Sequence, residues 1–160
     1  MTQPPFSITL KSPDHTARLA ALIGAQLVAG DTILLDGPVG AGKTHFARSL
    51  IQSLMDIPED VPSPTFTLVQ TYDTRAGDVW HTDLYRVTSP AEIEELGLTE
   101  AFHHAICLVE WPETLGALTP KTALKLVFSP DPDDENIRLA TFEWTSDRWG
   151  PVLDRIRHDA

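Results

Sequence analysis

The run Gly37-Pro38-Val39-Gly40-Ala41-Gly42-Lys43-Thr44 matches the pattern GxxxxGK[ST] in full. Glycines at these places let the backbone curl so that successive N–H groups, from Gly40 to His45, converge on an anion at the positive end of a helix. Lys43 is then placed to reach the β- and γ-phosphates of a nucleotide, and the Thr44 hydroxyl to ligate Mg²⁺. Val39, Gly40, Ala41, Gly42, Lys43, Thr44 and His45 form the predicted phosphate cradle, with Lys43 as its catalytic cation. A plain Gly-rich turn before an ordinary helix is the bland alternative. The apolar strand before the loop and the amphipathic helix after it favour the phosphate site.

Guanine-reading relatives of such sites carry a late Asn/Thr-Lys-x-Asp motif. None of Lys11, Lys43, Lys121 and Lys125 has an Asp two positions on, so ATP is favoured over GTP. Holding Mg²⁺ or orienting a water calls for a second carboxylate, usually at the end of an apolar strand beside the loop. Two acids fit. Glu110 ends the run Ala105 to Val109 and is the first choice; Asp83 lies near the end of Val79 to Leu84. In a strand His81, Asp83 and Tyr85 share one face and could form a polar constellation, although a lone strand histidine is often structural. Arg86 suits phosphate or a surface ion pair. Trp111 could stack on a base or a partner, or cover the core edge.

These residues need elements to hold them. Strands are predicted at Ser7–Leu10, Thr32–Leu35, Ala105–Val109, Ala123–Phe128 and Ile137–Trp144. An antiparallel hairpin joins Thr67–Tyr72 to Val79–Leu84 through a turn at residues 75–78. Ser12-Pro13 opens a helix carrying Leu19, Leu22, Ile23 and Leu27 and stopping at Gly30. A second helix runs from Lys43 to Met55, a short one opens with the capping box Ser89 to Glu92 and ends near Gly97, and the last covers Asp147–His158. Val61 to Phe66, with its two prolines, is an ordered or switching loop. The order predicts an α/β chain, 1–160 as a single domain: a P-loop NTPase-like three-layer sandwich with a mixed, partly parallel sheet and an antiparallel hairpin.

Composition narrows the partners. Among 160 residues, 12 Lys or Arg face 23 Asp or Glu, for a formal net charge of −11. This disfavours a chain that grips nucleic acid or a membrane surface by itself. Cys107 is the lone cysteine, no Cys/His cluster has zinc spacing, and adjacent His103 and His104 point apart on a helix. The acidic run Asp131 to Glu135 reads as a solvated turn. With no signal-like start and no apolar run of membrane length, the chain reads as cytoplasmic.

GPVGAGKT, SPTFTLV at Ser63–Val69, HTDLYR at His81–Arg86 and LVEWPE at Leu108–Glu113 together resemble the TsaE (YjeE) family, the ATPases of bacterial tRNA threonylcarbamoyladenosine biosynthesis. The likeness covers about residues 12–113 and is weak in the last third. Pro38-Val39 and His45 fall at variable places of the family's loop. The resemblance implies a small ATPase that binds ATP and Mg²⁺ and works with TsaB and TsaD, TsaD transferring the threonylcarbamoyl group to an adenosine beside the anticodon. It further implies a metal site of Thr44 and Glu110, a role for Asp83 in ATPase activity, and a switch loop bringing Thr65 to the γ-phosphate. Nucleotide contacts are expected from Trp111, from His15 in the stretch Asp14–Thr16, and from Arg138. Hydrolysis is expected to be slow without partners, as no arginine finger is evident beside the loop, and tRNA is contacted only through the partners. A small-molecule kinase and a non-hydrolysing ATP-sensing subunit are the rival readings.

Overall fold

The computed structural model describes residues 6–64 and 68–159; Thr65 and the rest of the segment 65–67 lie outside them, so the expected switch contact of Thr65 does too. Seven strands, β1 (Phe6–Leu10), β2 (Thr32–Asp36), β3 (Val69–Thr74), β4 (Gly77–Asp83), β5 (Ile106–Glu110), β6 (Leu124–Pro130) and β7 (Arg138–Glu143), form one sheet in the order β1-β7-β6-β2-β5-β4-β3. β2 is central, with parallel neighbours β5 and β6, and β4 pairs parallel to β5. β3 and β7 run antiparallel to their neighbours. The sheet is therefore mixed and partly parallel, with the expected hairpin at β3–β4.

Burial on both faces explains the unbroken apolar runs of β2 and β5. Ile33 and Leu35 of β2 and Ile106 and Leu108 of β5 face one core with α1 (Pro13–Gly24), α2 (Lys43–Ser53) and α5 (Trp149–Asp159). Leu34, Cys107 and Val109 face the other, covered by α3 (Pro90–Glu95), α4 (Leu98–His104) and the 3₁₀ segment Pro112–Leu118. The result is three layers: helices, sheet, helices. No helix among the described residues is long and apolar enough to cross a membrane.

Ser12 caps α1 by accepting the His15 N–H at 3.1 Å, with Pro13 in the first turn. α1 ends at Gly24, not at Gly30. Leu27 is buried all the same, because turn bonds from Gln26 N–H to Ile23 O and from Leu27 N–H to Gly24 O fold it back onto the core. Gly24 itself sits where α1 meets α2, and a Cβ there would stand 3.2 Å from Leu50 Cγ. Other boundaries shift as well. The hairpin turn is the residue pair Arg75-Ala76, and the last helix opens at Trp149. Glu92 of the expected capping box bonds Thr88 instead of closing on Ser89, while Ser89 Oγ accepts the Glu92 N–H at 3.4 Å.

Candidate nucleotide site

The loop lies at the C-terminal edge of the parallel strands, where open α/β sheets place their ligands. It starts tightly: Gly37 has φ +136°, and a Cβ at this position would stand 2.5 Å from the Phe128 carbonyl oxygen of β6. Glycine alone lets the chain leave β2 this close to its neighbour. It ends at Gly42, which caps α2 in the left-handed region (φ +106°) and offers no side-chain oxygen. The first amides of α2 thus begin without a side-chain partner, the arrangement that suits an anion.

Over the loop lies a cavity of about 420 Å³, lined by Val39, Gly40, Gly42, Lys43, Thr44 and His45 on one side. Asp83, Tyr85, Glu110 and Trp111 line the other. Six of the seven loop residues expected at the site face it. Ala41 does not: it is 1% exposed, and its N–H donates to the Pro38 carbonyl at 3.1 Å, closing a turn that points the residue inward.

Lys43 is only 4% exposed. Its Nζ donates to the Gly37 carbonyl at 2.5 Å and stands 3.3 Å from the centroid of the Trp111 ring. Burial pushes this ammonium below the ordinary lysine range, and the nearby carboxylates of Glu110, Asp36, Glu113 and Asp83 pull it back only in part. Trp111 holds its place with φ +57°, ψ +59°, a left-handed backbone that costs a non-glycine residue about 1–2 kcal/mol. Its ring lies 4.8 Å from that of Tyr85. A cation–π contact at such a desolvated site is worth about 2 kcal/mol, enough to offset the strain.

Thr44 Oγ1 donates to Glu110 Oε1 at 2.7 Å, and His81 Nε2 meets Glu110 Oε2 at 2.7 Å. Glu110 is 2% exposed and His81 fully buried. Asp83 sits in register with Glu110 across β4 and β5; its Oδ1 accepts the Tyr85 N–H at 2.9 Å. The sequence pattern placed His81, Asp83 and Tyr85 on one strand face. β4 in fact ends at Asp83, and Tyr85 reaches the cavity through the following turn. Arg86 is exposed and does not line the cavity.

The outlying expectations fare differently. Arg138 Nη2 donates to the Gly40 carbonyl at 3.2 Å, so the start of β7 does touch the loop. Arg138 does not line the cavity, however, and its Nη1 is engaged by the carbonyls of Glu135 and Ile137. His15 does not line the cavity; its Nδ1 accepts the Lys11 N–H, and burial together with Arg18 and Lys11 holds its pKa down. α1 does meet the end of the loop through the His45 ring, 3.0 Å from the Pro13 carbonyl.

Below the loop, Asp36 and Glu113 are neighbours that shift each other's acidity in opposite directions. Burial, the Asp36 hydrogen bond and the Asp36 charge raise Glu113 above the usual carboxylate range. Burial also pushes Asp36 up, but hydrogen bonds from Glu113 and the Gly37 N–H, with Lys125 nearby, hold it lower. Sequence spacing carried no sign of this pair, because it depends on how the 3₁₀ segment folds back towards β2. A hydroxyl and a carboxylate meeting beside uncapped amides suit Mg²⁺, which binds through one or two protein oxygens plus phosphates and water. Among the described residues no group of three or more His, Cys, Asp or Glu is set to hold a metal alone.

The profile of the family described as "Threonylcarbamoyl adenosine biosynthesis protein TsaE" matches residues 10–138. A tRNA threonylcarbamoyladenosine biosynthesis protein TsaE from Bacillus subtilis is 36% identical over 150 residues, covering 92% of each chain. One from Rickettsia felis is 38% identical over 134 residues, 84% of this chain and 77% of that protein. The crystal structure of Bacillus subtilis YdiB superposes with a TM-score of 0.80 at 29% identity, covering 100% of this chain and 99% of its own. Sequence, fold and loop geometry agree: the chain belongs to the TsaE family of threonylcarbamoyl adenosine biosynthesis proteins.

Proposed function

We propose that the chain is a Mg²⁺-dependent, cytoplasmic ATPase that serves threonylcarbamoylation of the adenosine beside the tRNA anticodon, acting with TsaB-like and TsaD-like partners. The observation that carries this reading is the Thr44–Glu110 hydrogen bond, which brings two hard oxygens from α2 and β5 together at the mouth of the phosphate loop. Mg²⁺ bound there would offset charge on the transferred phosphoryl group. Lys43 would exchange the Gly37 carbonyl and the Trp111 ring for phosphate oxygens. The Gly40 to His45 stretch would hold the phosphates in place, apart from the engaged Ala41 amide. Asp83, in register with Glu110, would orient the attacking water or couple the site to the segment after Val61.

The acidic balance fits this division of labour. A chain of net charge −11 need not hold RNA if its partners do. Its own positive potential is needed at one place only, where Lys43 and the loop amides supply it. The test is ATP turnover by the purified chain alone, then with TsaB, TsaD and tRNA. Slow turnover that the partners stimulate is expected. Turnover indifferent to the partners would contradict the assembly, phosphoryl transfer to a metabolite would indicate a kinase, and no ADP from the full complex would indicate a sensing subunit.

A further inference from the structure

Glu110 is held from two sides by different elements. On one side Thr44, at the start of α2, donates to Oε1; on the other the His81 ring, from β4, meets Oε2. A carboxylate only accepts, so the proton between His81 and Glu110 sits on Nε2 of the ring. His81 is fully buried, and its Nδ1 has no partner among the described residues. Among the described residues the ring therefore makes one polar contact, to Glu110. The register explains the reach: His81 pairs with Leu108 and Asp83 with Glu110 in a parallel ladder, so His81 lies diagonal to Glu110 on the same sheet face. A free carboxylate at a strand end can rotate about χ3 at little cost. With Oε2 tied to His81, Oε1 is left directed at Thr44.

We infer that His81 is a positioning residue: it clamps one oxygen of Glu110 so that the other stays on the Thr44 side, where the two groups form the oxygen pair proposed above for Mg²⁺. The inference rests on that proposed reading. It assigns His81 no contact with nucleotide and no part in the reaction. Groups that orient a metal-ligating side chain matter to affinity, and their loss typically costs about 10–100-fold in metal binding or activity.

Two side chains separate the clamp from mere filling of the core. Gln can put its amide nitrogen near the position of His Nε2, whereas Asn ends near Nδ1 and falls short of Glu110. The experiment is calorimetric titration of ATP into wild type, His81→Gln and His81→Asn, each with excess Mg²⁺ and again in EDTA. For His81→Asn the gain in ATP affinity on adding Mg²⁺ should shrink about tenfold, with affinity in EDTA within twofold of wild type. His81→Gln should recover most of the gain. Equal losses with and without Mg²⁺, or an unchanged gain in His81→Asn, would overturn the inference while leaving the proposed function intact. No Mg²⁺-dependent gain in wild type would instead overturn the proposed function, and this inference with it. Nitrogen-15 NMR of the wild-type imidazole tests the same contact without any variant. A proton on His81 Nε2 is expected, and a ring carrying its proton on Nδ1 alone would overturn the clamp.

Discussion

Thr44 and Glu110 stand 66 positions apart in the chain, yet the Thr44 hydroxyl donates to the Glu110 carboxylate at 2.7 Å. The contact exists because β2 and β5 are parallel neighbours whose C-terminal ends lie level, Leu35 opposite Glu110. Replacing either group should damage metal-dependent steps more than nucleotide binding itself. Thr44→Val and Glu110→Gln are each expected to lower ATP hydrolysis about 100-fold, with ATP affinity in EDTA close to wild type. Steady-state phosphate release and nucleotide titration check this pair of outcomes.

The Lys43 ammonium lies on the face of the Trp111 ring, so any ligand that draws Lys43 to its phosphates alters the surroundings of that indole. Intrinsic fluorescence should change on adding ATP, and Trp111→Phe should remove the change while Trp80, Trp144 and Trp149 remain. An undiminished response in Trp111→Phe would contradict the contact.

Among the glycines, Gly37 is the one least open to a side chain. Gly37→Ala would place a Cβ 2.5 Å from the Phe128 carbonyl at φ +136°. A loss of about 2–3 kcal/mol in unfolding free energy is expected, read from the midpoint of urea denaturation. Gly40→Ala meets no atom within 4 Å, so it carries only the backbone strain and should cost less.

Cys107 is fully buried in β5, and burial pushes its thiol up to about 12. The native protein should resist thiol reagents at neutral pH and react only on unfolding. The linkage has a definite sign. Above pH 9 the unfolded thiol loses its proton while the native one keeps it, so stability falls as pH rises from about 9 towards 12, by about 1 kcal/mol per pH unit. Below about pH 8 the thiol contributes almost no slope. Urea midpoints measured across this range should fall less steeply for Cys107→Ala than for wild type.

What could be read from the chain divides along a physical line. Contiguous or strictly periodic features were legible: the Gly37–Thr44 loop, the cap at Ser12, the two-faced apolar runs of β2 and β5, and Glu110 as the acid ending one of them. Features made by register or by turns were not. His81 meets Glu110 only because β4 and β5 pair in parallel. α4 leaves little trace in the sequence, because its seven residues bury only Leu98 and Ala101 and follow Gly97, a natural helix stop. α1 is shorter than its apolar spacing suggests, because a turn, not another helical turn, carries Leu27 into the core. Trp111 was legible as a residue of interest, but its hold on Lys43 depends on a left-handed backbone that no spacing announces.

The most direct test of an ATPase built on this loop is hydrolysis by Lys43→Ala. The buried ammonium is the only lysine among the residues lining the cavity. Phosphate release with saturating Mg²⁺ and ATP should fall to background in the variant, whose fold can be verified by its thermal melt. A correctly folded Lys43→Ala protein that hydrolyses ATP at the wild-type rate would contradict the account.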